Sequence, residues 1–153
     1  MMEGDSHSVD GAVQDAAAVM LQTAYDYVGH TEDVEILWIY ASMENDWVTA
    51  LPIYRVAGEI YKAHELPEKV QEQIPSYADL PQRTLTEESS KLYEKLKSAG
   101  DPPTRMVIRY ETASKEMNVH FTYAPIARRK NDSWRDVTNQ WLVRLRETGV
   151  DAA

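Results

Sequence analysis

Val34-Glu35-Ile36-Leu37-Trp38-Ile39-Tyr40-Ala41-Ser42 is the stretch on which the fold turns. It is dense in β-branched and aromatic residues, the types that fit a pleated surface. Period-two alternation puts Val34, Ile36, Trp38 and Tyr40 on one face and Leu37, Ile39 and Ala41 on the other. Both faces are apolar, which predicts a strand covered on both sides and central in its sheet.

Upstream, Ala12 to Tyr27 carries Val13, Ala16, Ala17, Met20, Leu21, Ala24, Tyr25 and Val28 in steps of three and four, an amphipathic helix closed by Gly29. Downstream, Trp47 to Arg55 and Glu59 to Ala63 read as two more strands, with Pro52 marking an edge position or a bulge. Glu65 to Arg83 holds Pro67, Pro75 and Pro81 and reads as a connecting segment with one short helical turn over Glu68 to Gln73. Thr84-Leu85-Thr86-Glu87 fits a capping box, so a second helix is expected from Thr84 or Thr86 to Gly100, with Glu87 and Glu88 in its first turn. Arg105 to Thr112 and Met117 to Ala124 form a hairpin. A last helix, capped by Asn131 or Asp132, carries Trp134, Val137, Trp141, Leu142 and Leu145 on one stripe. The order α-β-β-β-α-β-β-α predicts an α+β fold: a single domain with a meandering antiparallel sheet of about five strands and helices packed on it. Residues 1–11 are expected as a disordered lead, 12–149 as the domain and 150–153 as a disordered tail.

The chain has 153 residues, enough to bury a full core without a staple, and contains no cysteine. Disulfide scaffolds, thiol nucleophiles and cysteine metal sites are excluded. The longest apolar run, Ile36 to Ala41, is six residues, and the N-terminus has no basic segment leading into an apolar stretch. A cytoplasmic protein with no membrane association is therefore the expectation.

No nucleophile elbow, dinucleotide turn, phosphate loop or zinc-protease helix is present. His7, His30, His64 and His120 share no metal-ligand spacing, so neither a catalytic residue nor a metal or other cofactor is predicted. The Arg128-Arg129-Lys130 run reads as a solvated linker. Charge is more informative. The net charge is −9, and residues 1–104 carry 19 acidic against 7 basic side chains while residues 105–153 carry 6 against 9. Such a field repels nucleic acid and attracts cationic partners. Within the acidic part, Trp47 and Tyr77 stand beside Asp46 and Asp79. With Glu44 they form the candidate partner-binding surface, on the first hairpin and the proline-rich segment.

Several strings add a family resemblance: VEILWIYAS after helix one, Leu92-Tyr93-Glu94-Lys95-Leu96 leading to Gly100-Asp101-Pro102-Pro103-Thr104, Met117 to Tyr123, and the Trp-bearing stretch Trp134 to Leu145. Together, over about residues 12–146, these resemble the YezG-like immunity proteins, antitoxins that neutralise secreted bacterial polymorphic toxins. Pro103 departs from the family, standing where it often has an aromatic. The resemblance implies a non-enzymatic inhibitor whose cognate protein toxin has a basic surface, as nucleases do. Two other classes fit the residues. One is a small-molecule-binding or enzymatic α+β domain recruiting Tyr110, His120 and Tyr123. The other is an adaptor or chaperone for a secreted client.

Overall fold

A computed structural model describes residues 2–44, 47–76, 78–125 and 133–148, with the side chains of residues 2–9 and 134 outside the description. Val34–Ser42 is β1, and only Glu35 in it is exposed. It is the central strand, as its two apolar faces demand. Thr49–Val56 (β2) and Glu59–Lys62 (β3) continue the sheet on one side; Arg105–Glu111 (β4) and Glu116–Thr122 (β5) continue it on the other. The spatial order is β3-β2-β1-β4-β5, antiparallel throughout. The helices are α1 (Met2–Tyr27), α2 (Glu68–Gln71), α3 (Gln82–Ala99) and α4 (Trp134–Thr148). The architecture is the expected α+β one.

Each face of β1 has its own core. On one, Leu37, Ile39 and Ala41 pack with Tyr54, Met106 and Ile108 under α1 and α3. On the other, Ile36, Trp38 and Tyr40 pack with Ile53 and Val107 under Trp141, Leu142 and Leu145 of α4. Fully burying a side chain of this size contributes about 1.5–3 kcal/mol, so the two layers dominate the folding energy. Small residues let α1 approach: Ala17 and Ala24 are buried in its contact face, the Ser89 hydroxyl of α3 donates to Met20 Sδ at 3.2 Å, and the Tyr54 hydroxyl donates to the Ala24 carbonyl at 2.7 Å.

Alternation misplaces one residue. Val34 packs with the α1 and α3 core because Val34 and Ile36 face Val56 and Arg55, two consecutive residues of β2, so Glu35 forms a β-bulge. Bulging turns Glu35 outward, where its carboxylate accepts from the Gly58 amide at 2.8 Å and lies 3.3 Å from Arg55 Nε. Ala57 and Gly58 both have positive φ, the two-residue hairpin geometry that matches strand twist. Thr112 holds the bulge from the other side, its hydroxyl donating to the Val34 carbonyl at 2.7 Å. Pro52 lies where β2 has lost its β3 neighbour, since that ladder begins at Ile53.

Helix starts are where sequence reading is corrected. α1 begins at Met2, not Ala12, because the expected lead contains no proline and the alanine-rich stretch propagates through it. α3 begins at Gln82 after Pro81, with no side-chain cap. Thr84, the hydroxyl of the expected capping box, therefore falls inside the helix, and Thr86, the alternative start, binds the sheet: its hydroxyl accepts from Ala50 N at 3.0 Å and donates to Ala50 O at 3.3 Å. Glu87 and Glu88 therefore fall beyond the first turn and pair with Arg83 and Lys91. Asn131 and Asp132 lie outside the described residues. The observed cap of α4 is Ser133 with Asp136: Asp136 N donates to Ser133 Oγ at 3.3 Å, and Ser133 N donates to Asp136 Oδ2 at 2.8 Å. In the proline-rich connection, α2 supplies the expected helical turn and Leu66 and Val70 are buried anchors.

Two glycines should respond oppositely to alanine. Gly11 lies within α1 with open space where a Cβ would go, so Gly11→Ala should stabilise by about 0.5–1 kcal/mol. Gly29 has φ +65°, and a Cβ there would lie 2.5 Å from the Gln73 carbonyl oxygen, so Gly29→Ala should destabilise by more than about 1 kcal/mol. Urea midpoints measure both. The α4 cap predicts a pH dependence. The Ser133 amide, and then its hydroxyl, hold the Asp136 carboxyl below the usual carboxylate range. The cap's contribution is complete above the unfolded-state value of about 4 and is lost as pH falls through the lowered folded-state value. Asp136→Asn should make the acid limb of a thermal-midpoint profile shallower.

Candidate functional site

The connection leaving β1 presents Trp47, a residue 62% exposed, the largest exposure among the large apolar residues of the described chain. Its backbone is held: Trp47 N donates to the Glu44 carbonyl at 3.2 Å, and Met43 N donates to the Thr104 carbonyl at 2.9 Å. An indole so exposed on an anchored hairpin is an apolar contact surface that the described residues leave uncovered.

Glu44, at the same connection, is half-buried, and its charge reaches the Tyr40 hydroxyl under α4. Tyr40 is fully buried there, its ring 4.8 Å from that of Trp141. Arg105 is 4% exposed and donates through Nη2 to the Thr122 hydroxyl at 3.1 Å. The Tyr40 hydroxyl lies against the Arg105 guanidinium without reaching hydrogen-bond geometry. Burial pushes that hydroxyl's pKa up; the charges of Arg105 and Arg144 oppose the shift, and Glu44 reinforces it. Glu44 and the two arginines thus all act on the same buried hydroxyl, with opposite signs. A lysine at position 44 would put a third cation into this layer.

Asp79 lies elsewhere. It borders a shallow hollow of about 580 Å³ with Asp26, Tyr27, His30 and Pro75, against the C-terminal turns of α1. His30 pairs with Asp26. This end of α1 leads into the start of β1, whereas Glu44 and Trp47 follow the end of that strand, nine residues or about 30 Å further along. The structure brings Glu44 and Trp47 together and leaves Asp79 apart. Asp46 and Tyr77 lie outside the described residues.

The residues considered for a small-molecule site do not converge. Tyr110 packs 6.3 Å from Tyr25 on the α1 side, and Phe121 and Tyr123 neighbour each other at 6.4 Å, whereas His120 points to the other face of β5 and is exposed. Among the described residues, no group of three or more His, Asp or Glu could hold a metal ion. No described helix is long and apolar enough to cross a membrane. The Tyr40 and Arg105 layer escaped sequence reasoning, although Arg105 shares strand parity with Val107 and pairs with Ser42, two residues from Tyr40.

Compared with known protein families and with curated proteins, the chain matches none.

Proposed function

We propose that this chain is an immunity-type inhibitor that binds and neutralises a cognate secreted bacterial toxin with a basic, nuclease-like surface, one copy per toxin and without turnover. The observation that carries the reading is Trp47, an exposed aromatic anchor on a braced hairpin at the edge of a strongly acidic molecule. Residues 1–54 contain ten acidic side chains and no lysine or arginine. Asp10, Asp15 and Asp26 among them are exposed. Aromatic anchors supply short-range affinity and acidic surroundings supply long-range attraction to a cationic partner. The resemblance of β1, α3 and the last strand and helix to the YezG-like immunity proteins supports the same reading. Inhibition by occlusion needs no catalytic group, only a surface complementary to the toxin.

The test begins with the product of the gene immediately upstream. Coexpression should yield an equimolar complex, and titration of toxin activity should break at one equivalent; abolition of toxicity by substoichiometric amounts would point to an enzyme instead. Trp47→Ala should weaken binding by about 2 kcal/mol, roughly thirtyfold, while leaving the fold intact. Full-strength binding by the folded variant would remove Trp47 from the interface.

Salt dependence tests the role of charge separately. The Debye length falls from about 30 Å at 0.01 M to about 8 Å at 0.15 M, so association measured by stopped flow should slow across that range while dissociation changes little. Salt-independent association would mean that the acidic surface serves solubility alone.

A further inference from the structure

The sheet ends differently on its two sides. At one edge β3 is four residues long, and Arg146 of α4 donates through Nη2 to its Ile60 carbonyl at 3.2 Å. At the other, β5 runs seven residues in unbroken register with β4, and among the described residues no strand lies beyond it. Short length, bulges, prolines and lysines are the usual devices that keep an edge from pairing, and Glu116–Thr122 has none of them. The direction of its backbone groups follows from β4. Met43 N donates to the Thr104 carbonyl and Thr112 N to the Glu35 carbonyl, so even-numbered residues of β4 turn their amides and carbonyls to β1 and odd-numbered ones to β5. The β5 residues opposite the odd-numbered ones, Glu116, Asn118, His120 and Thr122, therefore bond to β4. Met117, Val119 and Phe121 aim their N–H and C=O groups out of the sheet. Their side chains lie on the α1 side and are only half-buried, while Glu116, Asn118 and His120 on the opposite face are exposed.

We propose that β5 pairs with β5 of a second copy of this chain, antiparallel about a two-fold axis at Val119, joining two five-stranded sheets into one. The strand fits this symmetry. It is centred on Val119, so this register pairs every residue of Glu116–Thr122, and any other register of the same parity leaves residues of each strand unmatched. Val119 meets its own copy, and Met117 meets Phe121 of the second copy, a thioether against an aromatic ring. The outward residues of the two strands then exchange about six backbone hydrogen bonds. An axis perpendicular to the sheet preserves parity, so the half-buried Met117, Val119 and Phe121 of both copies close into one apolar strip on the α1 side. On the other face Asn118 meets His120 and Glu116 meets Thr122, with no like charges opposed. The Thr122 hydroxyl accepts from Arg105 Nη2 at 3.1 Å, so each copy brings a carboxylate toward the buried guanidinium of the other. An unrelated extended peptide would need only the open backbone groups. A strand that matches itself about its central residue points to a second copy. The proposal uses neither Trp47 nor Glu44, and its test needs no toxin, so it stands or falls separately from the inhibitor reading.

Sedimentation equilibrium of the full chain, with residue-resolved amide exchange read from ¹H–¹⁵N spectra, tests it. A dimer should be populated at or below about 1 mM. Between about 50 μM and about 1 mM the Met117, Val119 and Phe121 amides should slow by about threefold or more, while Asn118 and His120, already bonded to β4, should change less. Val119→Lys and Val119→Glu should each be monomeric, because each sets like charges face to face at the axis, and an equimolar mixture of the two should recover a dimer. A chain that stays monomeric to about 1 mM, or one that dimerises while the Met117, Val119 and Phe121 amides exchange as in the monomer, would overturn the proposal. A monomer whose β5 amides become protected only when the upstream gene product is added would assign the edge to the toxin and overturn it equally. The measurements on the unmodified chain decide the matter even if a variant fails to fold.

Discussion

Burial of β1 on both faces is the constraint from which the rest of the structure follows. A strand apolar on one side can rest on a single layer of helices, but one carrying Trp38 and Tyr40 on one face and Leu37 and Ile39 on the other must be covered twice. The chain meets this by sending α1 and α3 to one face and α4 to the other, with a strand pair added on each side of β1 to complete its backbone hydrogen bonds. Central placement also fixes what the ends of β1 can do. Its start is occupied by the α1 terminus and the bulge at Glu35, and its end leads into the connection that carries Glu44 and Trp47.

Charge follows the same division. Asp10, Asp15, Asp26 and Glu32 lie on exposed positions of α1 and the segment after it, where they cost the fold little and shape the long-range field. Glu44 is different, because it is half-buried and its charge reaches the buried Tyr40 hydroxyl beneath α4. Trp47 and Glu44 lie three residues apart and differ in setting: Trp47 is exposed, and Glu44 is half-buried.

What could be read from the residues was what depends on short-range pattern. Strand alternation in Ile36 to Ala41, the α1 stripe, and Val137, Trp141, Leu142 and Leu145 of the α4 stripe reached their places because burial selects residues at the period of the element. The bulge at Glu35 was not readable, since one extra residue shifts parity without changing composition. The α3 cap misled because the helix starts upstream of Thr84, directly after Pro81, and because Thr86 has a donor and an acceptor in Ala50, 36 residues away. The Ser133 and Asp136 cap was present in the sequence as S-x-x-D but was overshadowed by Asn131 and Asp132. Of the candidate surface, Glu44 and Trp47 are three residues apart and stay together; Asp79 joined them only through a shared composition, which says nothing of which end of β1 a loop reaches.

Whether Trp47 anchors a protein partner is addressed most directly by ¹⁹F NMR of the chain labelled with 5-fluorotryptophan. Trp38 and Trp141 are fully buried whereas Trp47 is exposed, and loss of one resonance in Trp47→Phe assigns it. On addition of one equivalent of the upstream gene product, the Trp47 resonance should shift and lose its solvent-isotope sensitivity as water leaves the indole. A Trp47 resonance that keeps its position and its solvent sensitivity in the saturated complex would contradict an anchoring role.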